Sequence, residues 1–261
     1  MIYLFSFLIG LTIGSFLNVL IVRVPKDESI VFPASHCPTC NNPLKFWHNI
    51  PLLSWILLKG KCSFCKTSIS KMYPTVELIT GFIFLVVSLK EGISVDWFAI
   101  SLIFSLLFAL SIIDFKYYAV PDSLNFTALG LALLLPLFNF AYDYLTLDVQ
   151  NFAIYQKMLI TNFKDSAIMA LSFFLLGFIV KKIIKKDALG EADIIIAGTM
   201  GALLGFPSVL IAIYTSALLA IIPALFARNH MIPFVPFLAL ATLITYFFND
   251  TFLKWWNLLY A

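Results

Sequence analysis

The chain has 261 residues, 61% of them hydrophobic and only 12% charged, with a mean hydropathy of +0.97 and a formal net charge of +3. A soluble domain carries about 25% charged residues and could not bury this much apolar surface, so the composition excludes a soluble globular protein and predicts a polytopic membrane protein. A charge of +3 is too small to imply a nucleic-acid partner, and the positions of the charges carry more information than their sum.

An apolar run over residues 1–22 lacks a basic start and a small-residue cleavage site, which predicts a retained membrane helix rather than a removable signal. Ser15 and Asn18 lie three apart, on one face of that helix, where helix–helix hydrogen bonding is the simpler reading and a place near substrate the alternative. Further apolar runs at 74–90, 97–113, 123–141, 166–180, 192–206, 208–227 and 231–248 bring the expected spans to about eight. Seven Lys or Arg between positions 23 and 71, Lys116, four lysines at 181–186 and Arg228 then fall on one side. Only Lys90, Lys157, Lys164 and Lys254 fall on the other. The positive-inside rule makes the first side cytoplasmic and leaves both termini outside.

The insert after the first span reads S-H-C-P-T-C, N-I-P-L-L-S-W and G-K-C-S-F-C. Cys37/Cys40 and Cys62/Cys65 form two Cys-x-x-C pairs with 21 residues between them, and the chain has four cysteines in all. Such spacing turns both sulfurs of a pair toward one ion, so the pairs point to a four-thiolate zinc site; two disulfides or four unrelated buried thiols are the alternatives. A reducing cytoplasm favours zinc, in agreement with the charge pattern. About 50 residues bury little core unaided, which fits a metal-dependent fold. His36 and His48 read as surface residues or outer neighbours of the metal; for Glu77 an interfacial charge is the simpler reading and part of a site the alternative.

Asp114 follows an apolar run, and an acid there is functional by default. Asp122, after Val120-Pro121, reads as a cap for the next helix. Residues 142–165, with Asp143, Asp148 and Asp165, read as a polar outside connector. Asp193 enters an apolar run from the cytoplasmic side, and Gly198, Gly201 and Gly205 beyond it allow close helix approach. Asp114 and Asp193 thus reach one membrane face from different spans. They are either the paired carboxylates of an aspartic peptidase, one protonated and one ionised, or two interfacial acids that never meet. Two prolines in Ile232-Pro233-Phe234-Val235-Pro236-Phe237 imply a kinked or re-entrant entrance to the last span, suited to a groove for extended peptide.

Taken in order, G-S-F-L-N-V, the double Cys-x-x-C loop, Y-P-T-V-E, an Asp before V-P-D, G-E-A-D and I-P-F-V-P-F resemble the bacterial type IV prepilin peptidases over nearly the whole chain. The resemblance implies an inner-membrane enzyme of two activities. It cleaves the basic leader from prepilins or pseudopilins, whose N-terminal helix is apolar, and then methylates the new N-terminus with S-adenosyl-L-methionine. It further implies catalytic roles for Asp114 and Asp193, zinc at Cys37, Cys40, Cys62 and Cys65, and a cofactor site near the zinc loop with no residue assigned. The fold expected is all-α: a first helix (1–22), a cytoplasmic zinc-binding domain associated with methyl transfer (23–73), a membrane peptidase domain (74–248) and a tail (249–261). Three positions depart from the family pattern. Ala192 and Val235 stand where the family usually has glycine, which implies another backbone shape at a local turn, and Ile195 stands where a lysine is frequent. A transporter with proton-relaying acids, or a non-catalytic pilus-assembly scaffold, are the competing readings.

Overall fold

The computed structural model describes residues 1–147, 152–185, 190–226 and 232–260. Helices in these residues are α1 (Ile2–Arg23), α2 (Leu53–Leu57), α3 (Met72–Glu91), α4 (Val95–Tyr117), α5 (Asp122–Leu147), α6 (Phe152–Ile184), α7 (Glu191–Leu204), α8 (Ser208–Phe226) and α9 (Val235–Tyr260). All but α2 and α7 are long and apolar enough to cross a membrane, seven helices among the described residues. The run at 192–206 forms α7, whose 14 residues measure about 21 Å against a hydrocarbon core of ~30 Å. Asp148, Lys186, Arg228 and His230 lie outside the described residues.

The chain divides into two compact units, Met1–Ser101 and Leu102–Ala261, with the boundary inside α4. In the first unit α1 and α3 pack at backbone distance. A Cβ on Gly10 would lie 2.7 Å from the Thr80 carbonyl oxygen, and one on Gly14 would lie 2.7 Å from the Glu77 Cα. Small residues four apart thus open the groove that α3 fills, as in membrane helix pairs generally. Ser6 Oγ donates to the Phe84 carbonyl at 2.8 Å, and Trp97 Nε1 donates to Ser6 Oγ at 2.9 Å, so these two polar side chains are satisfied within the unit. Gly14→Leu should therefore lower the thermal unfolding midpoint, by an overpacking cost of about 1–3 kcal/mol. The same change at Gly130, with nothing within 4 Å of its Cβ position, should leave the midpoint unchanged.

In the second unit α7 is the buried element: Ile196, Ala197 and Met200 are fully enclosed. Its glycines set the packing distance to α6, as expected: a Cβ on Gly201 would lie 2.6 Å from the Asp165 carbonyl oxygen. The expected polar connector at 142–165 is instead helix wherever it is described, the end of α5 and the first half of α6. Its polar residues make specific contacts. Tyr155 donates to Asp143 across the α5–α6 pair, and the buried Asp165 accepts the Phe206 N–H at 3.4 Å while pairing with Lys164 at 3.5 Å. Helix formers such as Gln156, Lys157, Met158 and Leu159 carry α6 through the stretch in spite of its polarity. The prolines of the last run also act differently from expectation. Pro233 precedes α9 and Pro236 is its second residue, where a missing N–H costs nothing, so neither kinks the helix. The one non-helical residue inside α9 is Phe248.

Candidate active site and metal centre

Asp114 sits in the last turn of α4 and is 7% exposed; Asp193 is the third residue of α7 and is 8% exposed. Each carboxylate meets the positive end of a helix. Asp114 Oδ2 accepts the N–H of Val235, the first residue of α9, at 3.2 Å. Asp193 Oδ2 reaches back to the Gly190 N–H at 3.0 Å and so caps its own helix. First-turn amides have no partner within their helix and favour negative charge, which is what keeps two buried acids tolerable here. The two are also near enough for the charge of Asp114 to act on Asp193. Both acids thus sit buried at helix ends, within range of each other's charge.

The departures from the family pattern are accommodated. Ala192 lies within α7 and is not among the residues with positive φ, so no glycine conformation is needed at that position. Val235 is 2% exposed and serves the site through its backbone N–H, which any residue but proline supplies. Asp122 is the exposed first residue of α5, in keeping with a structural role at the helix start.

Sequence reasoning missed Asn125. It is fully buried in α5, and its Nδ2 donates to the Ala192 carbonyl at 3.1 Å, one residue before Asp193. An amide three residues after Asp122 in an otherwise apolar run was the available signal. Asn125→Leu removes that tether. Any hydrolysis at the aspartates should fall about tenfold, the worth of roughly one hydrogen bond, with thermal stability little changed; a rate within twofold of the parent chain would exclude the positioning role.

In the first unit the four cysteines converge: their sulfurs lie within 4.8 Å of one another. Cys37 Sγ and Cys65 Sγ are 3.8 Å apart, far from the ~2.05 Å of a disulfide and close to the ~3.8 Å edge of a tetrahedron with 2.3 Å metal–sulfur bonds. The sequence builds this as two equivalent turns. Cys37 N–H donates to the Asn42 carbonyl and Cys62 N–H to the Thr67 carbonyl. Each turn reverses on a left-handed residue just after its second cysteine, Asn41 (φ 54°) and Lys66 (φ 62°), and each is closed by a short antiparallel bridge. The Thr67 hydroxyl and backbone N–H hold the Cys65 thiol down to about 6, and the N–H groups of Cys40 and Thr39 lower Cys37. Cys40 is lowered by the Asn42 N–H but raised on balance by burial and by the sulfurs of Cys65 and Cys37. Four sulfurs this close become thiolates together only around a cation, so the donor set suits a metal ion.

Glu77 is not an interfacial charge. It is 8% exposed, and its Oε2 accepts the N–H of Leu52 at 2.8 Å, a residue held at φ 59°. Asn18 Nδ2 donates to the Tyr73 carbonyl at 3.1 Å, so this polar residue of α1 does link helices. His36 is exposed and His48 half-buried, and neither enters the cysteine cluster.

Comparison with known proteins bears on both sites. The pattern of the Bacterial Peptidase A24 N-terminal domain matches residues 8–91, and that of the Type IV leader peptidase family matches residues 101–225. A prepilin leader peptidase/N-methyltransferase of Neisseria gonorrhoeae is 30% identical over 95% of this chain and 92% of its own length. The protein of the same description from Aeromonas salmonicida is 32% identical over 96% and 92%. The one from Myxococcus xanthus is 35% identical over 79% of this chain, and the match spans 57% of that relative's length. No solved structure is a significant match.

Proposed function

The chain belongs to the type IV leader peptidase family and acts as a prepilin leader peptidase/N-methyltransferase, and from that premise we propose that Asp114 and Asp193 are its proteolytic pair. The observation that supports this is two buried carboxylates, each on the N-terminal amides of a different helix and within range of each other's charge. Two carboxylates in a site of low dielectric share one proton. The ionised member takes a proton from water as the water oxygen bonds to the scissile carbonyl carbon. The protonated member donates to the carbonyl oxygen and then helps return a proton to the departing amine as the C–N bond breaks. Substrates are prepilins or pseudopilins with a basic leader and an apolar N-terminal helix. Membership of the family decides against the transporter and scaffold readings. Detection of leader loss by mass, on a prepilin incubated with the purified chain, tests this assignment.

We assign the metal as zinc, held by Cys37, Cys40, Cys62 and Cys65 in a closed four-thiolate shell that staples the loop between α1 and α3. Methyl transfer belongs to this unit, residues 23–73 with their flanking helices, and cleavage to the membrane domain at 74–248. Bound here, S-adenosyl-L-methionine would supply the methyl group, its sulfur keeping the bonding pair, to a new N-terminal amine that would lose a proton as its N–C bond forms. A cavity of about 860 Å³ in the first unit, within the range of ligand pockets, fits a molecule of this size. The charge pattern supports a cytoplasmic side for the zinc loop and both aspartates at the bacterial inner membrane. Protease protection of a tag inserted in the 23–71 loop of right-side-out vesicles tests that orientation, and digestion of the tag from outside would reverse it.

A further inference from the structure

The cavity of the first unit has a wall of acceptors. Asn18 is 3% exposed and lines the cavity; its Nδ2 is satisfied by Tyr73, but its Oδ1 is a buried acceptor with no donor. Glu77, across from it on α3, brings a carboxylate 8% exposed that makes no ion pair among the described residues. Ser15, on the same face of α1 as Asn18, also lines the cavity. The nearest basic side chain of α1, Arg23, is occupied with the Ser29 and Pro33 carbonyls at 2.9 and 2.8 Å. An unmet acceptor and a lone anion facing one cavity call for a ligand that brings both positive charge and N–H donors.

We propose that Asn18 and Glu77 form the seat of a primary ammonium group in this cavity. Glu77 neutralises its charge and Asn18 Oδ1 accepts one of its N–H bonds. The proposal rests on the methyl-transfer reading, in which two ligands carry such a group: the new N-terminus of the cleaved pilin, and the amino-acid end of the methyl donor. The apolar members of the cavity wall, Phe16, Val19 and Val22, suit the side chain of an apolar N-terminal residue, while Trp55 offers a ring for a base.

The test uses the full chain in detergent micelles and two matched pairs of probes, titrated by calorimetry. One pair is S-adenosylhomocysteine and its N-acetyl derivative. The other is the peptide Phe-Thr-Leu-amide and its N-acetyl twin. In one pair or the other the free amine should bind the parent chain at least about tenfold more tightly, as expected for charge-assisted hydrogen bonds. Asn18→Leu and Glu77→Gln should each bring the ratio to within about twofold, while Asn18→Asp, which keeps an acceptor, should retain it. Thermal unfolding and bound-metal content confirm that the variants are folded. Preference in the adenosyl pair places the donor's amino group here, and preference in the peptide pair places the pilin N-terminus. No preference in either pair, or a preference that survives both Asn18→Leu and Glu77→Gln, overturns the site. Label transfer from S-adenosylmethionine by the parent chain separates the two failures: transfer without amine preference defeats the site alone, and absence of transfer defeats the methyl-transfer reading.

Discussion

Asp114→Asn and Asp193→Asn should each abolish leader cleavage, with a rate loss of about a thousandfold or more, in line with removal of a positioned acid or base. The substitutions keep shape. An asparagine at 114 still offers an oxygen to the Val235 N–H, and one at 193 still offers an oxygen to the Gly190 N–H. Helix starts and packing are therefore retained, and what is lost is the proton shared between two acids. Methyl transfer to a substrate already lacking its leader should continue in both variants, because the cysteines, Asn18 and Glu77 belong to the first unit. Mass spectrometry of the substrate reads both effects at once. Cleavage within tenfold of the parent rate in either variant would remove that residue from the reaction.

Removing the metal should be nearly as severe, and in the other activity. The loop from residue 24 to 71 has little helix, two one-bridge turns and many exposed apolar side chains, Phe46 and Leu57 among them. Such a segment has no core of its own, so the ion is the larger part of what orders it. Elemental analysis should find one zinc per chain, and Cys37→Ser or Cys62→Ser, at the two buried thiols, should release it. Methyl transfer should then be lost because the loop that closes over α1 and α3 no longer folds, and amide exchange between residues 35 and 70 should rise to that of an open chain. Retention of full methyl transfer by a zinc-free chain would show that the cluster does not shape that site.

Much of this was readable from residue types alone. The cysteine spacing forecast a cluster because two turns of fixed geometry leave four sulfurs few other arrangements, and the apolar runs forecast helices because a bilayer permits little else. Asp114 and Asp193 stood out as acids in apolar surroundings. What could not be read was local geometry supplied by neighbours. Glu77 looks like a charge at a membrane edge until Leu52, twenty-five residues earlier, is folded back onto it. Asn125 gains its place only because α7 brings the Ala192 carbonyl beside it. The stretch at 142–165 has the composition of a loop, yet its charges and amides are those of a solvated helix surface, and packing against α5 and α7 decides the matter. Ala192 raised a question about backbone freedom that its position inside α7 answers.

The claim at the centre of this account is that Asp114 and Asp193 work as one unit. A double-substitution cycle measures it: cleavage rates of the parent chain, Asp114→Asn, Asp193→Asn and the combined variant, on one prepilin under single-turnover conditions. Residues that share a proton and a substrate are strongly non-additive, so the combined variant should be no slower than either single one. Losses that instead multiply, or a single variant that cleaves as the parent does, would contradict a shared catalytic pair.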